Sequence, residues 1–433
     1  MKINSLFSDK EIISKSISSF ILKISGSLFG YLLLWLVTKN LGADAWGEYV
    51  MFLAVLNISS IFSRLGIDKL ALKSVAASNE NLGEAKFIYF SSVKILLIIS
   101  VFFSVLLFYL SDLIAFNLLH NASMSSVIRL VAFILPFFSI ICLNENTLRG
   151  LKMIKEFAFF QQTSKMLFSV LFFLLLYYQY ELFDNILVIY SYLISLVLIF
   201  ILSSIKVCKL LCKSNMVGSL NISYIFSQSI PMMLSSSILL LMTWADSLMI
   251  GSFIGEHEVG IYNVAVKLAL LSSITITSVN SITAPKLSES FNNDNLVEFK
   301  RIISYSTKLI SISTFPVLVM IFLFPTHMLS FFGSEFVLAK SSLLILAFSQ
   351  AINAFSGSVG TILNMTGKQK VYGNILLVSL LINIVLNYLL IPIYGIDGAA
   401  IASASSLIFW NLYSVFYVYR HYGVLTLISF KNE

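Results

Sequence analysis

Six basic side chains lie inside long apolar segments of this sequence, where a charge is costly unless it meets water, an opposite charge or a membrane surface. They are Lys23, Lys94, Arg129, Lys165, Lys267 and Lys308. All of the lysines except Lys267 lie at a similar depth, roughly 10–13 Å into their segments at the rise of an α-helix. This pattern predicts a cationic cavity that holds an anionic group, and a diphosphate suits flexible ammonium groups. Extension of the long lysine stems to the membrane surface is the other interpretation.

Arg64 joins this set at the inner end of the second apolar segment, four residues before Asp68. This spacing permits an ion pair along a helix. The pair would act as a gate or anchor the loop that follows. Alternatively, Arg64 simply extends to the membrane surface.

Two acidic side chains also lie in apolar segments. Glu145 precedes Arg149 by four residues, so we expect a structural or gating ion pair between them. Asp246 lies near the outer end of the seventh segment, and Lys267 lies at a comparable depth in the eighth. Asp246 either pairs with Lys267 or takes up a proton or sodium ion that drives transport. The sequence leaves both roles open.

The segments that carry these charges have the composition of membrane-spanning helices. Hydrophobic residues make up 58% of the 433 residues, charged residues make up 11%, and the mean hydropathy is +0.91. A bilayer core requires about 20 apolar residues per helix, and a helix satisfies its own backbone hydrogen bonds. We predict an all-α polytopic membrane protein with about 12 transmembrane helices, near residues 16–38, 46–63, 87–110, 126–148, 157–178, 185–205, 225–250, 260–284, 302–325, 339–364, 372–392 and 397–419.

The loops between these segments alternate in charge. One set is basic and includes Arg64, Lys69, Lys73, Lys86, Arg149, Lys152, Lys155, Lys286, Lys300, Arg301, Lys368 and Lys370. The other set contains few cations and includes Asp44, Asp112, Glu256, Glu258, Glu335 and Asp397. Because basic loops remain on the cytoplasmic side, both termini are predicted to be cytoplasmic.

Two short segments of the sequence resemble each other. Residues 41–49 and 254–262 both read aliphatic-Gly-x4-Gly-x-Tyr, after the first and the seventh apolar segments. The spacing predicts two pseudo-symmetric six-helix bundles, residues 1–208 and 209–433, with the same orientation in the membrane. In transporters built from such repeats the substrate path lies at the repeat interface.

Small residues and prolines indicate where these helices pack closely and bend. Gly26 and Gly30 share one face of the first segment and permit close approach of a neighbouring backbone. Pro231 lies near the start of the seventh segment and predicts a hinge there.

The sequence lacks the motifs of several other functional classes. It contains no G-x4-G-K-[ST] loop, no zinc-binding helix motif and no Ser/His/Asp set, so we predict no enzyme, no cofactor and no metal site. Cys142, Cys208 and Cys212 do not form a disulfide framework. The net charge of +7 is explained by basic loops that face anionic lipid, so no nucleic-acid partner is predicted.

Together, the twelve segments, the Gly-x4-Gly-x-Tyr hairpins and the sequence NMTGK at 364–368 resemble the polysaccharide-transporter branch of the multidrug/oligosaccharidyl-lipid/polysaccharide exporter superfamily. Within that branch, the chain is similar to bacterial Wzx-type O-antigen or repeat-unit flippases. The resemblance implies a flippase that moves an undecaprenyl-pyrophosphate-linked oligosaccharide from the cytoplasmic to the periplasmic leaflet by alternating access. It also implies the bacterial inner membrane as location, membrane lipid as a contact, a role in lipopolysaccharide biosynthesis, and a polymerase and chain-length machinery as partners.

Three alternative functions remain. A multidrug or cation antiporter of the same superfamily should present acids to its cargo, whereas cations outnumber acids inside these segments. A lipid II-type flippase commonly carries two further helices. A membrane glycosyltransferase or polymerase would need a large outward loop, and every predicted outward loop is short.

Overall fold

The computed structural model describes residues 9–78, 81–180, 184–212, 215–218, 222–424 and 426. The described chain is all-α, with eleven helices long and apolar enough to cross a membrane. A bent pair of helices brings the number to twelve if it counts as one span. This confirms the predicted fold class. Residues 1–8 and 427–433, which contain the termini of the topology prediction, lie outside the described residues.

The chain forms two compact units, Met1–Ser237 and Ile238–Glu433. In the first unit, the helices before the boundary are α1 (Asp9–Asn40), α2 (Gly42–Arg64), α3 (Ile67–Ala77), α4 (Leu82–Tyr109), α5 (Ser111–Leu113), α6 (Met124–Gly150), α7 (Ile154–Ala158), α8 (Ser164–Tyr180) and α9 (Leu187–Leu211). Two π-helical turns, Ile114–Leu118 and Phe159–Thr163, follow α5 and α7.

The boundary between the units lies within one helix, α10 (Ile222–Phe253). The helices that follow are α11 (Glu256–Leu270), α12 (Ser273–Asn292), α13 (Leu296–Leu323), α14 (Pro325–Ser330), α15 (Lys340–Ser356), α16 (Val359–Met365), α17 (Gln369–Tyr394) and α18 (Ile396–Tyr422). A 3₁₀ turn, Glu335–Ala339, precedes α15. The boundary thus follows Ser237, whereas the domain prediction placed it after residue 208.

The first part of α10 packs on the turn between α2 and α3. Gly66 in that turn has a φ of +76°, and a Cβ there would lie 2.2 Å from the carbonyl oxygen of Ser229. Only glycine allows this approach, because any side chain would meet the α10 backbone. The segment of α10 around Pro231 therefore belongs structurally to the first unit.

Two of the predicted spans are broken. The predicted span 260–284 consists of α11 and α12, which meet at 44°. Ser272 lies at that break, and its hydroxyl donates to the carbonyl of Ala269, in competition with the helical pattern. The predicted span 339–364 ends early at Gly357, which has a φ of +71° and lies against Thr307.

The repeat predicted from the hairpins has a structural counterpart at helix starts. Gly42 and Gly255 both have positive φ where α2 and α11 begin. Asn81 accepts hydrogen bonds at the start of α4, and Asn295 does so at the start of α13. Each asparagine is followed three residues later by a glutamate, and the two lie 214 residues apart. This shared N-terminal capping pattern supports the register of the repeat.

Candidate functional site

Glu145 and Lys165 form a buried ion pair in the first unit. The Nζ atom of Lys165 lies 2.7 Å from Oε1 of Glu145, with side chains 10% and 7% exposed. The ammonium group also lies 5.3 Å from the ring centroid of Phe138. The predicted pair of Glu145 with Arg149 is therefore wrong: Arg149 is exposed at the end of α6, and its guanidinium lies over the ring of Phe157. The buried carboxylate takes the buried cation because an unpaired charge is most costly there.

Arg64 and Asp68 form a second ion pair in this unit. Nη1 of Arg64 lies 3.1 Å from Oδ2 of Asp68, and the arginine also donates to the carbonyl and hydroxyl of Ser60. The left-handed turn at Leu65 and Gly66 returns the chain so that α3 places Asp68 beside the end of α2. Asp68 is buried and also accepts a hydrogen bond from Asn146 of α6 at 3.0 Å.

Asn144, Glu145 and Asn146 thus connect α6 to its neighbours through three consecutive side chains. The side chain of Asn144 accepts from Tyr89 of α4 at 2.8 Å and donates to Ser203 of α9 at 2.9 Å. Glu145 contacts α8 and Asn146 contacts α3. We call these three residues the α6 polar triplet. This role was not predicted, because the partners of Asn144 and Asn146 lie more than 50 positions away in the sequence.

The π-helical turn Phe159–Thr163 ends two residues before Lys165. Its extra residue changes the helical register and so the direction in which Lys165 projects. The turn packs on Gly26 of α1, where a Cβ would lie 2.9 Å from Cγ of Gln162. Thr163 donates to the carbonyl of Leu22 at 2.6 Å. The close approach predicted for α1 is therefore made at Gly26, and it fixes the turn that orients Lys165.

Three of the predicted cavity cations lie on exposed or half-exposed helix positions. Lys23 of α1 and Lys94 of α4 are exposed, and Lys308 of α13 is half-buried. Lys94 shares a helix face with Ile98, which is 73% exposed, and Lys308 shares one with Ile312, which is 72% exposed. Such a face suits a lysine stem that extends along lipid.

The remaining cations have separate surroundings. Arg129 pairs with Asp112 through one nitrogen: Nη2 donates to both carboxylate oxygens, at 2.9 and 2.8 Å. Lys267 is exposed on α11 in the second unit. Within the first unit, Arg64, Arg129 and Lys165 each pair with their own acid. In the described part of that unit, Arg64 and Lys165 both lie within electrostatic reach of Cys142 and Glu145, whereas Arg129 and Asp112 form a separate pair.

The second unit contains a polar cavity of about 330 Å³. Apolar side chains such as Leu239 and Leu407 line it together with hydroxyl and amide groups. The polar and aromatic side chains on its wall are Thr243, Asp246, Tyr262, Ser273, Ser349, Gln350, Asn353, Asn383, Ser403, Ser406 and Trp410. Asp246 is the one carboxylate among these lining residues.

The carboxylate of Asp246 is buried and receives four hydrogen bonds from neutral groups. Tyr262 donates through its hydroxyl at 2.9 Å, and Ser403 donates a further bond. Asn387 and Asn383 donate through their amides at 2.7 and 3.0 Å. Four donors compensate the buried negative charge without a cation among the protein groups that hold it.

Lys267 is not among the groups that hold Asp246, so the predicted pair between them is not made. Asn383 and Asn387 lie one helical turn apart on α17, a spacing that places both amides on one face of the helix and is readable from the sequence. Ser403 and Tyr262 gave no such signal. The oxygen Oδ1 of Asn387 is buried and has no hydrogen-bond partner among the described residues. The site therefore has spare acceptor capacity beside its carboxylate.

The repeat relates this site to a different one in the first unit. Tyr49 and Tyr262 are equivalent by the 213-residue offset of the hairpins, and both are 1% exposed. The equivalent of Asp246 is Leu33. The hydroxyl of Tyr49 accordingly lacks a hydrogen-bond partner within the described chain. The acid site is thus a specialisation of the second unit.

Metal-ligand geometry of the usual kind is not found in the part of the chain that the structure describes. No group of three or more His, Cys, Asp or Glu side chains lies together there. Cys142, Cys208 and Cys212 are free thiols.

Comparisons of the sequence with family models give two matches. The model described as "Polysaccharide biosynthesis protein" matches residues 12–291, and the MatE model matches residues 231–389. The first match spans more than half of the chain. The matched segment contains the ion pairs Arg64–Asp68 and Glu145–Lys165 and the cavity residue Asp246.

The sequence relatives of the chain include proteins named for glycan and polysaccharide biosynthesis. A probable low-salt glycan biosynthesis flippase of Haloferax volcanii is 27% identical over 38% of this chain and 35% of the relative. The CapF capsular polysaccharide biosynthesis protein of Staphylococcus aureus is 26% identical over 45% of this chain and 50% of the relative. The chain thus spans about a third to a half of the length of these relatives.

The similarity to solved structures concerns the fold. An inward-facing multidrug transporter of the MATE family has a TM-score of 0.76 at 14% identity, with 94% of this chain and 98% of the other covered. The lipid II flippase MurJ in an inward closed conformation has a TM-score of 0.74 at 17% identity, with 94% and 87% covered. Both have the fold of this chain.

Proposed function

The chain belongs to the polysaccharide biosynthesis protein family, and from this premise we propose that it is a flippase of a lipid-linked glycan. The proposed cargo is an undecaprenyl-pyrophosphate-linked oligosaccharide repeat unit, moved from the cytoplasmic to the periplasmic leaflet by alternating access. The family match over residues 12–291 carries this proposal. Support comes from relatives named as flippases and from the fold shared with MurJ and MATE transporters.

We propose that the cations serve the diphosphate group unequally. Lys23 is exposed on α1, and we propose that its ammonium group is available to an incoming anion. Lys94 and Lys308 share helix faces with the exposed Ile98 and Ile312, so they are assigned to the lipid surface instead. Arg64 and Lys165 are already neutralised by Asp68 and Glu145. Arg64 and Lys165 would therefore stabilise the packing of their helices, and they would contact the cargo only if their ion pairs opened.

For energy coupling we propose Asp246. A proton or a sodium ion at this carboxylate would replace part of the hydrogen bonding that Asn383, Asn387 and Tyr262 now supply. The unpartnered Oδ1 of Asn387 supports this role, because it offers one more oxygen to a cation or a protonated carboxyl. Binding would change the contacts among α10, α11, α17 and α18, the helices that must move if the unit changes shape.

A multidrug or cation antiporter is the second candidate. The MatE match over residues 231–389 and the single acid in the cavity of the second unit favour it. The two functions differ in the charge of the cargo, because a cationic drug needs the acid itself, whereas a diphosphate needs cations.

The proposed location is the bacterial cytoplasmic membrane with both termini in the cytoplasm, where membrane lipid surrounds the helices. A polymerase and chain-length machinery of lipopolysaccharide biosynthesis are the proposed partners. Reporter fusions after Gly150 and after Leu118 test the orientation: a cytoplasmic reporter should be active at the first position and an external one at the second.

Removal of the gene from its native cell tests the proposed function. The lipid-linked oligosaccharide should accumulate while its synthesis continues, and the intact chain should restore export. The variant Lys23→Ala should restore export poorly and Lys23→Arg better. Unchanged glycan export together with lost resistance to cationic drugs would favour the antiporter instead.

A further inference from the structure

A groove between α4 and α6 in the first unit has an apolar wall and one lining cation, Arg129, which pairs with the neighbouring Asp112. It has a volume of about 320 Å³ and is lined by Val105, Phe108 and Phe133, with Arg129 at one end. Phe133 is 66% exposed, so the groove opens to the surroundings of the helix pair rather than into the packed interior. In a membrane those surroundings are lipid chains.

The charged end of the groove is rigidly built. Arg129 holds Asp112 through two hydrogen bonds at 2.9 and 2.8 Å, and its Nε donates to Ser111 at 3.2 Å. Ser125 donates a further hydrogen bond to Asp112. The guanidinium lies 5.8 Å from the ring centroid of Phe108. A fixed cation therefore lines the groove, and a fixed anion lies directly beside that cation.

Arg129 and Asp112 both keep unused hydrogen-bonding capacity. Nη1 of Arg129 donates no hydrogen bond to the described residues, and the side chains of Arg129 and Asp112 are 47% and 55% exposed. The hydrogen bond from Ser125, together with the adjacent Arg129, lowers the pKa of Asp112, so its carboxyl is ionised at neutral pH. Each member of the pair can bind a second group of opposite charge.

We propose that this groove binds a zwitterionic phospholipid with a primary ammonium, of the phosphatidylethanolamine type. The lipid phosphate would accept from Nη1 of Arg129, the ammonium would donate to Asp112, and an acyl chain would lie along Val105, Phe108 and Phe133. Charge complementarity selects this occupant, because a net anionic headgroup would meet Asp112 as a like charge. The bound lipid would join α4 to α6 at this end.

This inference does not depend on the proposed cargo. It concerns a lipid-facing surface that none of the transport residues share, and the groove lies at the end of α6 opposite the α6 polar triplet. A failure to flip a glycan would leave it unchanged, and so would any result on Asp246.

Lipid retention by the purified full chain tests the proposal. The protein is taken into detergent from membranes with equal amounts of phosphatidylethanolamine and phosphatidylglycerol, and bound lipid is measured by native mass spectrometry. The wild type should retain phosphatidylethanolamine at several-fold excess. Arg129→Gln should lose most bound phospholipid, and Asp112→Asn should lose the discrimination between the two lipids.

The matched control is Arg301→Gln, which removes an exposed arginine that pairs with Glu298 in the second unit. It should retain lipid as the wild type does. Arg129→Lys preserves the cation and should keep partial retention even if Arg129→Gln folds poorly. The proposal is overturned if the wild type retains phosphatidylglycerol equally well, or if a polyprenyl phosphate at equal concentration displaces the bound lipid. It is also overturned if Arg129→Gln and Arg301→Gln retain equal amounts of lipid.

Discussion

Lys165 and Glu145 meet at 2.7 Å inside the first unit, although each would be costly to bury alone. The pair connects α8 to α6 beside Phe138 and Cys142, and it removes one cation from the set available to cargo. This relationship makes Lys165 a structural residue of the first unit as well as a candidate for transport.

Removal of one partner should therefore destabilise the protein more than removal of both. Glu145→Gln leaves a buried ammonium without its counter-charge and should lower the free energy of unfolding by about 3 kcal/mol. Glu145→Gln combined with Lys165→Met should recover much of that loss. Thermal unfolding of the purified variants in detergent measures the coupling, and strictly additive losses would contradict the ion pair.

Gly66→Ala should disturb the contact between the α2–α3 turn and α10. A Cβ at Gly66 would lie 2.2 Å from the carbonyl oxygen of Ser229, so the two segments must separate, at a cost of about 1–3 kcal/mol. Gly367→Ala is the matched control, because Gly367 has a φ of +74° and no atom within 4 Å of an added Cβ.

Thermal melting followed by size-exclusion chromatography compares the two glycine variants. Gly66→Ala should lose clearly more stability than Gly367→Ala, which carries the backbone strain alone. Equal losses would mean that the close approach to α10 contributes nothing.

Gly26 and Gly30 should also respond differently to alanine. A Cβ at Gly26 meets Cγ of Gln162 at 2.9 Å and the backbone of Thr163 at 3.0 Å, whereas at Gly30 it meets only Met166 at 3.8 Å. Gly26→Ala should shift the π-helical turn and lower the melting temperature by several degrees. Gly30→Ala should melt as the wild type, and a reversed order would contradict the packing described for α1.

Asp246→Asn should preserve folding and remove the dependence of transport on the coupling ion. The amide keeps the size of the carboxyl. Its oxygen can accept from Asn383 and Asn387 and its NH2 group can donate to the hydroxyls of Tyr262 and Ser403, but it neither binds a proton nor attracts a cation. Transport measured with and without an imposed proton or sodium gradient separates the two ions. Asp294→Asn, at an exposed position after α12, is the control and should keep the wild-type response. An unaltered gradient response in Asp246→Asn would exclude this residue as the coupling site.

The sequence was sufficient for the number and type of helices because apolar length and loop charge are local properties. It offered the Arg64–Asp68 pair as one of two interpretations, and the structure makes that pair across the short turn that joins α2 to α3. It failed for Glu145, whose partner Lys165 is 20 residues away and is oriented by a π-helical turn that no residue pattern marks. The four groups around Asp246 come from α11, α17 and α18, and only the spacing of Asn383 and Asn387 was readable.

Translocation in reconstituted vesicles distinguishes a flippase of a glycan lipid from a drug exporter. The full chain is placed in liposomes that contain a fluorescent polyprenyl-diphosphate oligosaccharide, and a membrane-impermeant quencher or glycosidase reports the fraction in each leaflet. We expect protein-dependent exchange of the glycan lipid that is reduced at least tenfold by Lys23→Ala and retained by the control Lys94→Ala. Export of a cationic dye from the same vesicles, with no movement of the glycan lipid, would contradict it.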